Sequence, residues 1–453
     1  MARLIRRAMP ALTLLATPVA AHADGLSRAS SLNYGDCAWV MIAAALVLLM
    51  TPGLALFYAG MVRGKNVLSV LMQSFVAAGL VSVLWALVGY SLAFGPDHFG
   101  IIGDFSWAGL RGVSMYTPDP DYAPTIPHLL FMIFQMTFAV ITPALISGAV
   151  VERMKFSSYF VFILLWSIFV YCPMAHMIWA HGGILGMTGK VKALDFAGGT
   201  TVEIASGVSA LVMALAVGKR RARQEEMRPH NLPLTMVGTA LLWFGWFGFN
   251  AGSAQTAGPL AISAFVATHL AGATAALTWL VIEWALYKKP SALGFASGAV
   301  AGMVAITPAA GFLRPGPAIV VGLVAAFVSF YAIKVKNRLG YDDSLDVFAV
   351  HGCAGIWGMI ATGLFATLAV NPNGADGLLN GNPEQLGRQL IAVAVAIVFA
   401  AVGTFVVARI TSLLTLGLRS SAEDEENGLD VTEHGEVGYS NDEGGVPAMS
   451  MAD

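Results

Sequence analysis

Long apolar stretches separated by short polar segments make up the chain from residue 36 to residue 417. A run of about 20 apolar residues is long enough to cross a membrane as one helix. Hydropathy and helix-breaking residues together predict eleven such helices. Their approximate ranges are 36–60, 66–94, 126–150, 157–181, 196–218, 232–252, 259–287, 292–312, 317–336, 345–369 and 387–417. The pattern therefore predicts an all-α polytopic membrane protein with eleven transmembrane helices.

Composition supports this fold class. Apolar residues make up 57% of the 453 residues and charged residues 11%, whereas soluble domains carry roughly 25% charged residues. The three cysteines, Cys37, Cys172 and Cys353, lie far apart in apolar segments and are interpreted as packing residues. The sequence shows no nucleophile–base set, metal cluster or nucleotide-binding loop. We therefore expect neither an enzyme, nor a cofactor, nor a nucleic-acid partner.

The basic residues of the loops predict the orientation, since cytoplasmic loops carry an excess of Lys and Arg. Loops after odd-numbered helices contain Arg63, Lys65, Arg153, Lys155, the run GKRRARQEEMRPH, Lys288, Lys289, the run KVKNR and Arg419. Loops after even-numbered helices contain only Arg111, Lys190, Lys192, Arg314 and Arg388. The alternation places the mature N-terminus outside and the C-terminus in the cytoplasm.

The sequence divides the chain into three segments. Residues 1–23 combine a basic start, a short apolar core and an Ala-His-Ala cleavage site, which is typical of a secretory signal peptide; the alternative is a first transmembrane helix. Residues 24–418 contain the eleven helices, and residues 419–453 form an acidic cytoplasmic tail. A signal peptide on a multi-pass protein indicates the inner (cytoplasmic) membrane of a bacterium.

The chain also carries a hint of internal duplication. ALVLLMTPGLALFYAG in the first helix and ALLWFGWFGFNAG in the sixth both end in an aromatic-x-Ala-Gly pattern. A unit of five helices, repeated once, would place its second copy upside down in the membrane. Inverted repeats are common in transporters, where the substrate pathway lies between the two halves.

Two ionisable residues are predicted deep in the membrane. Glu203 lies eight residues after Asp195, which corresponds to about 12 Å along a helix. His351 lies five residues after Asp346, or about 8 Å, and enters from the opposite side. No Lys or Arg lies within ten residues of Glu203, so a histidine is its available partner. The pair either forms a polar station in a conduction path or merely fixes two helices together.

Other acids have simpler interpretations. Glu152, beside Arg153, and Glu283 lie near cytoplasmic helix ends, where ion pairs explain them. Asp195 opens the fifth helix, and Asp346, with Asp342 and Asp343, opens the tenth; we interpret them as helix caps.

Aromatic and hydroxyl side chains cluster toward the outer side. Phe134 and Phe138 share one helix face, Trp179 ends the fourth helix, and the outer end of the sixth carries Trp246, Phe249 and Ser253. The ring faces could attract a small cation while a hydroxyl accepts one of its hydrogen bonds. The alternative is core packing or an interfacial aromatic belt.

Several motifs resemble those of the ammonium transporter family, the Amt and Mep proteins that are related to the Rh proteins. They are TPGLALFYAGMVRGKN, YSLAFG, FQMTFAVITPALISGAVVERMKFS, AHMIW, LDFAGGT, HNLPL, WFGFNAGSAQTA, VAITPAAG and DVFAVHGCAGIWG. The resemblance covers the chain from about residue 33 to the tail. It implies a homotrimer of eleven-helix protomers, each built from inverted five-helix halves around its own narrow pore.

The resemblance also implies roles for individual residues. An outer ammonium site matches Phe138, Trp179 and Ser253, with Phe134 beside it, and a gate of two rings matches Phe138 and Phe249. Asp195 matches a structural aspartate, and Thr307 matches a polar residue that lines the path; Trp246 and Asp346 are interpreted as pore-lining or structural residues. His351 matches the second of two pore histidines, but Glu203 stands at the first position, as in some fungal members.

The tail completes the resemblance. NGLDVTEHGEVGY matches a family element that packs under the trimer and supports docking of a PII-type signal protein. Its matching residues are Gly428, Asp430, His434, Gly435, Glu436 and Tyr439; the alternative is a disordered acidic tail.

The sequence therefore predicts a transporter for nitrogen uptake. We expect recruitment of NH4+ outside and passage of ammonia or ammonium through a hydrophobic pore, with net charge movement as protons are relayed by Glu203 and His351. An ammonium sensor that signals through its tail and a gas channel of Rh type are the alternatives.

Overall fold

The computed structural model describes residues 32–222 and 227–439 of the chain. In these ranges, ten helices are long and apolar enough to cross a membrane. They are α1 Tyr34–Met61, α2 Gly64–Phe94, α3 His128–Ser147, α4 Phe156–Trp179, α5 Gly199–Val217, α6 Leu232–Ala251, α7 Pro259–Tyr287, α9 Ala318–Leu339, α10 Phe348–Phe365 and α11 Pro383–Leu414. A shorter apolar helix, α8 Ala292–Ile306, lies between α7 and α9. The predicted signal peptide lies outside the described residues.

The predicted eighth span, 292–312, is shorter than expected as a helix. The α-helix ends at Ile306, and residues 307–312 continue as successive turns. Pro308 follows Thr307 and lacks the N–H that a continuing helix needs. The turn is closed instead by the Ala309 and Ala310 amides, which donate to Ile306 O at 2.9 and 2.8 Å.

Short elements occupy the connections. The loop after α2 contains a two-stranded antiparallel hairpin, β1 Asp97–His98 and β2 Ile102–Gly103, so the fold is not purely helical. Two further helices, α12 Ala422–Asn427 and α13 Leu429–His434, lie in the tail. Side-chain caps begin several spans: Asn33 accepts from Gly35 and Asp36 at α1, and Asn231 accepts from Leu234 at α6.

Two helix crossings bring backbones into direct contact. Helix α1 packs along α6, where a Cβ added at Gly238 would overlap the backbone N of Phe57. Helix α5 packs against the first turns of α10, where a Cβ at Gly207 would overlap the backbone of Gly352. Close approach at small residues is how helices associate in lipid, where apolar burial gives little drive.

Matching features recur five helices apart. LFYAG at 56–60 in α1 corresponds to GFNAG at 248–252 in α6. The tetrad ITPA occurs at 141–144, in α3, and at 306–309, at the end of α8. Thr142 donates to Phe138 O at 2.6 Å and Thr307 to Met303 O at 2.8 Å, so both threonines make the same bond to the residue four positions earlier.

The glycine contact between α1 and α6 generates a stability prediction. Gly238→Leu is expected to lower the thermal stability of the purified protein by roughly 1–3 kcal/mol or more, because an inserted side chain forces two packed helices apart. Gly79→Leu on α2 is the matched control, since nothing lies within 4 Å of a Cβ at that position. Equal melting temperatures for the two variants would contradict the close crossing.

Candidate functional site

We name the two ends of the helix bundle outer and inner, after the orientation that the basic loops predict. A cavity of about 210 Å³ opens at the outer end. Its lining includes Phe138, Trp179, Ser253, Gln135, Asp121 and Thr188. Three of these, Phe138, Trp179 and Ser253, are the predicted outer-site residues, and the structure brings them together. Phe134 is fully buried behind Phe138, with ring centroids 5.0 Å apart, and does not line the cavity.

Hydrogen bonds orient the polar groups of the outer cavity. Ser253 Oγ donates to Phe249 O at 2.8 Å, so its lone pairs stay available to accept a bond. Trp179 Nε1 donates to Asp195 O at 3.1 Å, which fixes the indole ring. Gln135, one position after Phe134, is a polar lining residue that motif analysis missed.

Asp195 lines the outer cavity, and its carboxylate is bound to the backbone of the turn that follows it. Its carboxylate accepts from the amides of Gly198, Gly199 and Thr200 at 2.7–2.8 Å and from Thr200 Oγ1 at 2.5 Å. These bonds occupy both carboxylate oxygens and organise the turn that begins α5. Asp195 thus accepts from amides at the start of α5, whereas the N-cap position itself is Gly198.

Two phenylalanine rings separate the outer cavity from the interior. The ring centroids of Phe138 and Phe249 are 4.3 Å apart, and both side chains are buried. Phe138 lines the outer cavity, whereas Phe249 lines a smaller cavity below it. The two rings therefore lie between the two cavities.

The smaller cavity contains the predicted acid–histidine pair. It has a volume of about 10 Å³ and is lined by apolar side chains together with Glu203 and His351. That volume admits about one water-sized probe. Glu203 Oε2 lies 2.7 Å from His351 Nδ1, and the two side chains are 1% and 5% exposed. In this bond an ionised Glu203 can only accept, whereas a protonated Glu203 can donate to the ring nitrogen.

Three of these side chains lie on π-helical turns. Glu203 belongs to the turn Gly199–Ile204, Phe249 to Phe247–Ala251 and His351 to Phe348–Cys353. A π turn inserts one residue into the helical repeat, changes the direction of the side chains around it, and is frequent at functional sites. No residue pattern in the sequence indicated these turns.

Of Trp246 and Thr307, only Trp246 lines the smaller cavity. Trp246 lines the smaller cavity, and its Nε1 donates to Thr307 Oγ1 at 3.0 Å. Thr307 is fully buried and does not line the cavity. It therefore holds the indole ring from behind.

Of the three aspartates interpreted as caps of α10, Asp343 makes a bond to its first amide and Asp346 does not. Asp343 Oδ2 accepts from Phe348 N at 2.8 Å. Asp346 instead has a positive φ of 61° and pairs with Lys336 at 2.5 Å. Helix α10 begins at Phe348, so His351 is on its first turn. Asp343 precedes His351 by eight residues, the same spacing as that from Asp195 to Glu203.

Comparison with known proteins agrees with this geometry. The model of the Ammonium Transporter Family matches residues 38–439. An ammonium transporter of Bacillus subtilis is 51% identical over 410 residues, which are 90% of this chain and 99% of that protein. The chain belongs to the ammonium transporter family. It is thus a multi-pass membrane transporter and not an enzyme.

Other relatives extend the similarity. Ammonium transporter Amt1 of Archaeoglobus fulgidus is 46% identical over 406 residues, covering 89% of this chain and 99% of its own. The crystal structure of Saccharomyces cerevisiae Mep2 superposes with a TM-score of 0.80 at 34% identity, covering 87% of this chain and 89% of its own.

The tail of the transporter packs against the inner loops. Leu429 N donates to Asn66 Oδ1 at 2.8 Å, and Asp430 Oδ1 accepts from Ser69 N at 2.8 Å. Tyr439 Oη lies 2.9 Å from His230 Nε2. Residues up to Tyr439 thus contact the bundle; residues 440–453 lie outside the described ranges.

The remaining motif residues shape this tail. Gly428 has a φ of 103°, and a Cβ there would lie 2.6 Å from Lys65 O. Gly435 ends α13 in the left-handed conformation, and the amide of Glu436 donates to Asp430 O at 3.2 Å. The ring of His434 packs edge-on against that of Phe156, with centroids 4.8 Å apart.

An ion-pair network lies above the tail and corrects the pairing expected for Glu152. Glu152 pairs with Arg63 at 2.8 Å and Arg220 at 3.0 Å, not with its neighbour Arg153. Arg220 also pairs with Asp342 at 2.9 Å. The two arginines hold the pKa of the Glu152 carboxyl below its usual range, although burial opposes them. Arg153 instead donates to backbone carbonyls, including those of Gly218 and Asp342.

The cap of α10 generates a pH prediction. Burial, and then the neighbouring Asp346, raise the pKa of Asp343 from 3.8 to about 6. Between about pH 4 and pH 6 the folded protein thus holds a proton that the unfolded chain has released, so stability falls as pH rises through this window. Asp343→Asn keeps a capping oxygen but cannot ionise, and it should gain up to about 3 kcal/mol relative to the native protein over that range.

The measurement is the melting temperature of both proteins in detergent from pH 4 to pH 7. The difference between them should grow through the window and then level off. Glu423→Gln, at an exposed acid of the tail, is the control and should show no such trend. A constant difference between Asp343→Asn and the native protein would contradict the raised pKa.

Proposed function

We propose that this transporter takes up ammonium by recruiting NH4+ in the outer cavity and relaying its proton through Glu203 and His351. The observation that carries the proposal is the 2.7 Å bond between Glu203 and His351, buried in a cavity of about 10 Å³ directly below the two-ring gate. Ammonia and the proton then leave on the inner side, and the cycle moves net charge.

The outer cavity has the chemistry to bind a small cation. The faces of Phe138 and Trp179 meet at 85° with centroids 5.9 Å apart, so the two rings border the cavity from different directions. Aromatic faces attract cations by their quadrupole. Ser253 Oγ, which donates to Phe249 O, can accept one N–H bond of NH4+.

The interior favours ammonia over the intact cation. A bare NH4+ pays a large desolvation penalty in an apolar cavity, because too few acceptors replace its water. A neutral NH3 avoids most of that penalty. The lone pair on His351 Nε2 can accept a proton while Glu203 stabilises the resulting imidazolium through Nδ1. Glu203 and His351 titrate as one unit, so the relay belongs to the pair.

The architecture that we propose extends beyond the ten long helices. We infer eleven crossings, with α8 as the eighth, the N-terminus outside, the C-terminus inside and two inverted five-helix halves. The recurring LFYAG/GFNAG and ITPA sequences and the matched Asp–Glu and Asp–His spacings support the repeat. We also infer a cleaved signal at 1–23, the bacterial inner membrane and a homotrimer.

The tail is proposed as the regulatory segment. It packs against the inner ends of α2 and α4 and the loop that follows α5, through Asn66, Phe156 and His230 among others. A partner that contacts the tail would lie close to these segments as well. We infer that the partner is a PII-type signal protein at the cytoplasmic face.

Substitutions of Glu203 test the transport proposal. In proteoliposomes with an inward ammonium gradient, Glu203→Ala should lower the transient current by at least about tenfold, since a barrier raised by about 1.4 kcal/mol already has that effect. Its pH dependence should also change, because the titrating unit is lost. Glu203→His should retain substantial current, since an imidazole can take the same place in a relay.

Glu384→Ala is the matched control, because Glu384 is an exposed acid on α11. It should carry native current. Ammonium binding to the native protein without any flux would overturn transport in favour of sensing. Flux with no current at any pH would overturn the proton relay.

Asp430→Ala tests the packing of the tail. Loss of the acceptor for Ser69 N leaves a helix N-terminus uncapped, which costs about 1 kcal/mol. We expect faster proteolysis within residues 419–439 in inside-out vesicles and weaker binding of a purified PII-type protein. Glu423→Ala, at an exposed position of the same tail, should change neither. Unaltered proteolysis of Asp430→Ala would show that the tail does not depend on this bond.

A further inference from the structure

The chain between α4 and α5 runs without secondary structure just before it reaches Asp195. Residues 192–195 form neither helix nor strand, and Ala193 and Leu194 are buried. Buried irregular backbone in a membrane protein needs protein partners for its amides and carbonyls, because lipid supplies none. A neighbouring loop supplies one of them, since Ala193 N donates to Leu185 O at 2.9 Å.

One side chain of α11 supplies the partners of Leu194. Gln389 Oε1 accepts from Leu194 N at 2.7 Å, and Gln389 Nε2 donates to Leu194 O at 2.7 Å. The side-chain amide thus pairs with both backbone groups of one residue, as the facing residue of a neighbouring strand does. In the part of the chain that the structure describes, Leu194 makes no other hydrogen bond.

A second glutamine, one helical turn earlier, fixes the orientation of this amide. Gln385 Nε2 donates to Gln389 Oε1 at 3.1 Å and to Lys192 O at 3.2 Å, and both glutamines are fully buried. Gln389 Nε2 also lies 3.4 Å from Met359 O in α10. A flipped Gln389 amide would set its NH2 group against the Leu194 amide, so a single orientation satisfies all of these bonds.

The residue that follows Leu194 supports both parts of the pore. Asp195 O accepts from Trp179 Nε1 at 3.1 Å and so holds one wall of the outer cavity. The Asp195 carboxylate accepts from the first amides of the π turn Gly199–Ile204, which carries Glu203. Because Asp195 directly follows Leu194, the position of Leu194 sets the position of both supports.

We propose that Gln389 is a positioning residue for ammonium transport, which acts by fixing Leu194 and thereby the Asp195 support of the outer site. Gln389 lines neither the outer cavity nor the smaller cavity, so it acts through the backbone and not on the substrate. The inference rests on the proposed function and deepens it by assigning part of the outer-site geometry to a residue outside the pore. A residue with a purely structural role would change the amount of folded protein but not the affinity of the folded fraction.

Gln389→Leu tests this role by ammonium current in proteoliposomes. Leucine is apolar and makes neither bond, so two buried backbone groups lose their partners. The backbone should shift to regain partners, and the Trp179 wall of the outer cavity should shift with it. We therefore expect the half-saturating ammonium concentration of the Leu variant to rise severalfold.

Thr404→Val is the matched control on the same helix. Thr404 is buried, accepts from Trp166 Nε1 at 3.0 Å and lies 2.7 Å from Ser209 Oγ, oxygen to oxygen. It is fifteen residues after Gln389, or roughly 22 Å along α11. Loss of its bonds should lower the melting temperature but leave the half-saturating ammonium concentration at the native value.

Gln389→Glu tests whether the two bonds carry the effect. A protonated glutamic acid has one O–H donor and one acceptor oxygen for Leu194, whereas a carboxylate can only accept. The Glu variant should therefore lie closer to the native half-saturating concentration than the Leu variant at acidic pH. Gln389→Asn keeps the amide but is shorter by one methylene, so it should also raise that concentration; it replaces the Leu variant as the test if Leu does not fold.

Three outcomes separate the proposals. Native half-saturating concentrations in the Leu or Asn variant would overturn the positioning role, as would a Glu variant no better than Leu at every pH at which the native protein conducts. Native current combined with either result rejects the role of Gln389 alone. Absence of current in liposomes that contain the native protein rejects the proposed function itself.

Discussion

A buried carboxylate in a membrane is tolerable only with a partner at hydrogen-bond distance, and this requirement organises the centre of the transporter. Glu203 meets His351 because α5 and α10 approach without side chains between them. A Cβ at Gly207 would overlap Gly352, and one at Gly355 would lie 2.8 Å from Glu203 Cβ. The small residues thus set the separation of two helices, and that separation makes the 2.7 Å bond possible.

The same centre departs from regular helix geometry. In lipid every backbone polar group needs an internal partner, so helices that cross a membrane have little freedom to break. A π turn re-aims side chains while keeping the backbone largely hydrogen-bonded. Glu203, Phe249 and His351 all use this solution, on three different helices. The gate and the acid–histidine pair are therefore positioned by local changes of helical repeat rather than by loops.

The sequence could predict the pairing of Glu203 with His351 because hydrophobicity around them left few partners at that depth. It could not predict the π turns, since apolar residues on every side hide the helical period. It named Asp342, Asp343 and Asp346 together as caps of α10, because all three fit the same rule and only their φ values and partners distinguish them. Similarly, Arg63 and Arg220 are distant from Glu152 in sequence, and only tertiary packing selects them over Arg153.

A chain of hydrogen bonds extends this organisation from the pore to the tail. Asn66 bonds both the tail amide of Leu429 and the Glu152 carboxylate, which pairs with Arg220. Arg220 in turn holds Asp342, which is next to the residue that caps α10 and six residues before its first turn. Most of these side chains are buried, so salt screens their interactions less than those of exposed pairs. Because His351 lies on that first turn of α10, any displacement of the tail that loosens Asn66 or Glu152 acts on the support of the pore histidine.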